Sequence, residues 1–162
     1  MALTQVPTSM LGAGAVVQVL NTQTGAVATG TTVIPRDDTL PQSTEGTSVF
    51  SLAITPTNAS NILDIQVVLF GSCSVVSDII AALFQDAGAS AIAVASSYAT
   101  TTLGVMCVVL RYRMTAGTTS STTFSVRAGP MTAGTLTING AAAGRYYGGA
   151  FTSSITITEI KA

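Results

Sequence analysis

Apolar and polar residues alternate along most of this chain with a period of two. Phe50, Leu52 and Ile54 alternate with Ser51 and Ala53, and Leu63, Ile65, Val67 and Leu69 share one face opposite Asp64, Gln66 and Val68. The same rhythm returns at Phe124 and Val126, at Leu136 and Ile138, and at Ile155 and Ile157, each flanked by Ser or Thr. Successive side chains of a strand point to opposite faces, so each segment predicts a strand with one face in a core and a hydroxyl-rich face outside. Further strands are expected at Ala15–Asn21, Ala28–Ile34, Val75–Phe84, Ala91–Ser96 and Leu103–Arg113, about ten in all. Within Ser77–Gln85 the residues Ile80, Leu83 and Phe84 also share helical spacing. The β-branched residues before them and the turn signal after them favour a strand.

Turn signals separate these segments: Thr24-Gly25, Thr55-Pro56, Asp86-Ala87-Gly88, Ala116-Gly117, Gly129-Pro130, Asn139-Gly140 and Gly148-Gly149. Many short strands with no helices between them imply an all-β fold, an antiparallel β-sandwich of jelly-roll-like form. A short extended N-terminal arm, 1–14, with Pro7 and no alternation, precedes a single β-sandwich domain, 15–162. Ile34–Gly46 holds four of the thirteen charges and two of the five prolines, and is expected to be an exposed loop rather than core. Met114-Thr115-Ala116-Gly117-Thr118 recurs as Met131-Thr132-Ala133-Gly134-Thr135, which reads as a reused turn sequence rather than a duplication.

Composition narrows the function. Charged residues are 8%, there is no His and no Trp, Lys161 is the one lysine, and 26 Thr and 16 Ser supply most of the polarity. With six Lys+Arg against seven Asp+Glu the chain cannot easily build the cationic face that duplex DNA requires, so no nucleic-acid partner is expected. The most apolar windows, Ile62–Phe70 and Val75–Phe84, are broken by Asp64, Gln66, Ser77 and Asp78, so no membrane insertion by a helix is expected. The first ten residues carry no Lys or Arg and do not read as a secretion signal. Cys73 and Cys107 fall in apolar segments and are placed as small buried side chains, with one disulfide as the alternative. Two thiols without histidine cannot complete a structural zinc site.

Candidate chemistry is sparse. Asp37 and Asp38 are adjacent, so their side chains diverge in an extended segment; they read as turn residues. Asp64, Asp78 and Asp86 are scattered, with Asp86 expected in a hairpin turn. There is no nucleophile elbow, and Gly12-Ala13-Gly14 lacks the third glycine and the strand–helix context of a dinucleotide site. Asn58-Ala59-Ser60 is a glycosylation triplet with no supporting context. Cations and aromatics interleave at Arg111, Tyr112, Arg113 and at Arg145, Tyr146, Tyr147, either as a sugar- or nucleic-acid-contacting patch or as strand ends pairing across strands or subunits. No catalytic, cofactor-binding or metal residues and no cofactor are expected. A chain this apolar with so few ions must shelter its apolar strand faces, and a closed homo-oligomer does so economically.

The residues also resemble a known family. Pro7–Leu11, Val16–Val19, Ile34–Gly46, Leu52–Pro56, Ala82–Asp86, Thr115–Gly129, Gly134–Gly140 and Ser153–Ile160, in this order, resemble small tailed-phage virion proteins related to the distal domains of tail fibres. That resemblance implies a homotrimeric jelly-roll-like sandwich on a phage particle, with no catalytic residues. On the head it would be a capsid decoration, or cement, protein whose arm, Met1 to Leu11, holds the major capsid protein. At the tail, among tail proteins, it would be a receptor-binding fibre or spike tip recognising a host surface glycan. A polysaccharide-degrading enzyme would need a carboxylate pair in a groove, for which Asp37 and Asp38 are the candidates.

Overall fold

The computed structural model describes residues 10–162, so most of the expected arm, and all of the part assigned to capsid contact except Met10 and Leu11, lies outside the described residues. Twelve strands follow: β1 (Val16–Thr24), β2 (Ala28–Gly30), β3 (Thr47–Ile54), β4 (Ile62–Cys73), β5 (Asp78–Gln85), β6 (Ala93–Tyr98), β7 (Val105–Thr115), β8 (Thr122–Pro130), β9 (Leu136–Ile138), β10 (Gly140–Ala141), β11 (Gly144–Arg145) and β12 (Ser153–Ile160). The all-β antiparallel sandwich expected from the alternation is what forms. One sheet runs β1-β12-β4, with β7 on the other side of β4 and β9-β2 beside its upper end; the second runs β3-β8-β5-β6. β10 and β11 make a small hairpin of their own.

The inner faces bury each other. From the first sheet come Leu63, Ile65, Val67, Leu69, Val108, Leu110, Leu136, Ile138, Ile155 and Ile157. Phe50, Ile54, Ile79, Ala81, Leu83, Phe124, Val126 and Ala128 answer from the second. Full burial of each large aliphatic or aromatic side chain contributes about 1.5–3 kcal/mol, so this layer supplies the main driving force.

β5 departs from the alternation: Asp78 to Phe84 are all buried. A strand buried on both faces reads as a continuous apolar run, which is why its sequence also suits helical spacing. Its outer face carries Ile80, Ala82 and Phe84, which join Ile34, Ala91 and Met131 in a second apolar cluster. The cover is the 31–46 segment. The segment is exposed along most of its length, as expected of a loop, but Ile34, Pro41 and Gly46 are buried and anchor it as a strap over β5. The expected strand Ala28–Ile34 stops at Gly30 for the same reason, because the chain leaves the first sheet to cross over the second.

Specific bonds hold the strap. Ile34 N donates to Pro130 O at 3.0 Å, and Arg127 donates to Glu45 O at 2.6 Å and Gly46 O at 2.8 Å. Arg36 pairs with the buried Asp78 at 3.0 Å. Gly129 allows the close approach, since a Cβ there would lie 2.6 Å from Thr32 O. Gly129-Pro130 is therefore no turn but the end of β8, with Pro130 in register with Ile79. The two Met-Thr-Ala-Gly-Thr copies lie at opposite ends of the sandwich: Ala116 N bonds Asn61 O, whereas Met131 N bonds Asp78 O. That placement fits a reused turn.

Each end of the sandwich is tied by a buried polar hub. At the lower end Glu159, 0% exposed, accepts hydrogen bonds from Gln18 Nε2 (2.6 Å), Asn61 Nδ2 (2.6 Å), Thr57 N (2.8 Å) and Thr57 Oγ1 (2.8 Å). Desolvation acts to raise its carboxyl, but these bonds from Asn61, Gln18 and Thr57 together outweigh it and hold the group below its usual value. Nearby, Gly14 N donates to Lys161 O and Lys161 N to Ala15 O. At the upper end Asn139, left-handed at φ 58°, donates through Nδ2 to Thr24 O and Ala26 O and accepts from Ser153 Oγ. Ser153 Oγ in turn accepts from Phe70 N.

Two measurements test this account. Glu159→Gln places an amide NH2 against donors and is expected to cost about 2–4 kcal/mol in urea unfolding at neutral pH. Because the folded carboxyl is held low, its contribution is complete above the unfolded value of about 4.3 and disappears as pH falls through the folded value. The variant should accordingly show a shallower loss of stability in acid; an unchanged acid limb counts against the hub. Ile34→Ala should cost about 2–5 kcal/mol by leaving a cavity beneath the strap.

Candidate functional site: an unpaired sheet face

The strap covers the outer face of β5 in the second sheet, while the outer face of the first sheet remains open along its whole width. Register places its outward residues in rows. In the middle rows, Arg111, Gln66, Thr156 and Asn21 line up across β7, β4, β12 and β1, as do Arg113, Asp64, Thr158 and Val19. Arg111 reaches diagonally to Asp64 in a two-pronged pair, Nε to Oδ1 at 2.9 Å and Nη2 to Oδ2 at 2.5 Å. Asn21 Nδ2 donates to Thr156 Oγ1 at 2.8 Å. These groups form a polar belt around a depression of about 250 Å³ lined by Asp64, Gln66, Arg111, Thr156 and Thr158. The Arg111 hydrogen bonds hold the Asp64 carboxyl below its ordinary value against desolvation, helped by the charges of Arg111 and Arg113.

Apolar residues flank the belt on both sides. Toward the lower end stand Val16 and Val19, each 55% exposed. Toward the upper end Val68 faces Val109, which is 54% exposed, and Phe70 faces Cys107. Phe70 stacks on Phe151 with ring centroids 4.3 Å apart, Tyr147 meets Phe151 edge-on at 5.8 Å, and Tyr146 meets Tyr147 at 6.0 Å. Tyr147 is 78% exposed and sits at φ 49°, opening a 3-10 turn, Tyr147–Gly149. A left-handed non-glycine residue costs about 1–2 kcal/mol, so the surrounding contacts must hold it. One of them is the Thr24-Gly25 turn, where a Cβ on Gly25 would lie 2.0 Å from Gly149 O.

Arg111 pairs across strands, as the blander reading of that cluster has it. Tyr112 points inward against the core, so the two cation–aromatic runs are not one patch. Arg145, Tyr146 and Tyr147 belong to the upper aromatic end, while Arg111 and Arg113 belong to the belt. Both cysteines are free. Cys73 is buried as expected, but Cys107 is exposed, because its strand position falls on the outward parity of β7. Desolvation still raises its thiol above the usual value. Asp37 and Asp38 are exposed in the strap, Asp37 accepting from Thr39 N at 2.9 Å. Asp86 turns at φ 51° and accepts from Thr123 N at 2.8 Å, as a hairpin residue should. Among the described residues no three Cys, Asp or Glu side chains cluster as a metal site needs. Nothing in the local sequence marks Phe151 or Val109 as members of one patch; only the pairing of β4, β7 and β12 brings them together.

A family model described as the Pgp3 C-terminal domain matches residues 30–162. Among solved structures, the Eiger TNF from S. frugiperda is similar at 10% identity with a TM-score of 0.52, over 89% of this chain and 94% of that one. At that identity the likeness concerns the fold alone, a TNF-like jelly roll. Two infectious bursal disease virus structures, of the Gx and Gt strains, align over 100% of this chain and 42% and 43% of theirs, at 14% identity and a TM-score of 0.39. No curated protein matches the chain. The matched family is not the tailed-phage one that the sequence resembles: the β-sandwich implied by that resemblance holds, and its phage identity has no support here.

Removing the guanidinium should release the belt's carboxylate. In Arg111→Ala, the Asp64 midpoint followed by carbon NMR is expected to rise toward the ordinary carboxylate range; an unmoved midpoint would show that the pair does not exist in solution.

Proposed function

We propose, starting from a chain that belongs to the Pgp3 C-terminal domain family, that it works as a non-enzymatic homotrimeric β-sandwich knob, a structural or ligand-binding module closed through the outer face of its first sheet. The observation that carries this reading is the open face itself. Val109, Cys107, Phe70, Phe151 and Tyr147 form a contiguous apolar and aromatic surface, and Val16 and Val19 are exposed apolar residues at the lower edge of the polar belt. An apolar core with polar groups spaced through it is the anatomy of a subunit interface, and clustered apolar surface of this kind is unusual on a soluble monomer. A closed ring of copies buries it without leaving a sheet edge for open-ended growth. The Asp64–Arg111 pair gives such an interface a polar register mark.

The carboxylates support a non-catalytic role. Asp37, Glu45, Asp64, Asp78, Asp86 and Glu159 each accept a hydrogen bond from within the chain, the last four fixing strands, strap or turns. Display on a virion, as a cement trimer on the head or a receptor-binding tip at the tail, rests on the sequence resemblance alone. Pgp3 itself is a chlamydial virulence protein, and that role stays with Pgp3.

Sedimentation at micromolar concentration should show a species of three times the chain mass. Val109→Asp puts a charge at the centre of the apolar end and should weaken assembly by about a hundredfold or more while leaving the far-UV circular dichroism unchanged. Maleimide labelling gives a second reading: Cys107 should be protected in the assembly and reactive in the Val109→Asp chain, with Cys73 protected in both. A wild-type chain that sediments as a monomer with reactive Cys107 would overturn the trimer.

A further inference from the structure

The upper pole of the sandwich, opposite Gly14 and Lys161, holds a cleft of about 450 Å³. It lies off the open sheet face, among the connections that follow β4, precede β7 and flank β9. Ser74, Thr102, Leu103, Thr135, Thr137, Ala142 and Ala143 line it. This volume falls in the range of small-molecule sites.

Three features of the lining point the same way. First, no lining residue is ionisable, so a charged ligand finds no counter-charge there. Second, the polar lining side chains are all hydroxyls. Ser74 Oγ accepts from Thr135 N at 2.9 Å, and Thr137 Oγ1 accepts from Ala143 N at 3.2 Å. Ser74, which is exposed, commits a lone pair to the backbone in this way and keeps its O–H to donate, while Thr137, buried at 1% exposure, anchors the turn. Third, the apolar lining is Leu103, Ala142 and Ala143, and all three are left-handed, at φ 60°, 50° and 60°. Ala142 and Ala143 occupy the two-residue turn between β10 and β11, where Asn-Gly is the relaxed choice. The turn thus presents two methyl groups at a conformational cost that glycine would avoid.

We propose that this cleft is a binding site for a neutral N-acetylated amino sugar. The acetamido methyl fits against Leu103, Ala142 and Ala143, and the amide and ring hydroxyls meet the hydroxyls of Ser74, Thr102 and Thr135, with Thr137 holding the turn from beneath. The sugar's hydroxyls can donate or accept, its amide donates through N–H and accepts through C=O, and no contact needs an ion. The site belongs to each chain separately, so it stands or falls independently of the trimer.

The test is a methyl-detected NMR titration of the full chain with N-acetylglucosamine, with glucosamine and glucuronate as charged controls. Saturable shifts confined to Leu103, Ala142, Ala143 and the cleft threonines are expected, with the charged sugars weaker. Thr102→Val keeps the shape, removes one exposed lining hydroxyl and should weaken binding about tenfold. The double variant Ala142→Asn, Ala143→Gly relaxes the turn, so it should be at least as stable as the parent and yet lose binding. Its thermal midpoint, measured alongside, separates loss of the site from loss of the fold. No shift at these methyls, equal binding of the charged sugars, or full affinity in the relaxed-turn variant would each overturn the proposal.

Discussion

A sandwich of two sheets has four faces, and burying the inner two against each other leaves the outer two to be reconciled with water. Most soluble chains do this with charge, but here charged residues are only 8%. Threonine and serine cover part of the outside, yet Ile80, Ala82 and Phe84 on one sheet and Val68, Phe70 and Val109 on the other still point outward. The chain meets the first problem itself, laying residues 31–46 over β5 and sealing the strap with Arg36, Arg127 and Ile34. The second is left for another surface. The open face is thus the complement of the strap: β5 in the second sheet is covered within the chain, although Val94 and Tyr98 beside it on β6 stay exposed, and the first sheet has no such cover.

Scarcity of charge also shapes how the ends are held. Buried polar groups must be satisfied where they sit, and no buried side-chain nitrogen or oxygen among the described residues lacks a partner. Glu159 gathers β1, β12 and the 55–61 turn at one pole, and Asn139 with Ser153 gathers β1, β4 and β12 at the other. The second hub seats the 3-10 turn that presents Tyr147 and the hairpin that presents Ala142 and Ala143. Rigid hydrogen bonding beneath these residues is what lets left-handed alanine, leucine and tyrosine persist, since each would relax if its surroundings allowed it.

Much of this was legible along the chain. Strands at Phe50–Ile54, Leu63–Leu69, Phe124–Val126 and Ile155–Ile157 follow from alternation because one face meets a core and the other does not. Asp86 and Asn139 were legible as turn residues because both tolerate left-handed backbone. The misreadings share a cause. Ile34–Gly46 is solvated along most of its length as its charges suggest, but its covering role is hidden, because the face it covers belongs to a strand about forty residues further on. Gly129-Pro130 looks like a turn, yet glycine is there to admit Thr32 and proline's carbonyl accepts Ile34 N. Cys107 sits in an apolar run whose alternate positions face outward, and which parity faces out depends on the sheet that β7 joins.

Period, turn chemistry and composition by themselves determined an antiparallel β-sandwich that is poor in ions and has apolar surface to shelter. These properties are local or summed along the chain, so sequence carries them directly. Tertiary structure alone decided which face is covered, which is open, and which residues meet at the upper pole. Phe70, Cys107, Tyr147 and Phe151, like Leu103 and Ala142, are distant in sequence and become neighbours only through strand pairing, and the strap's role exists only once β5 presents an outer face for it to cover.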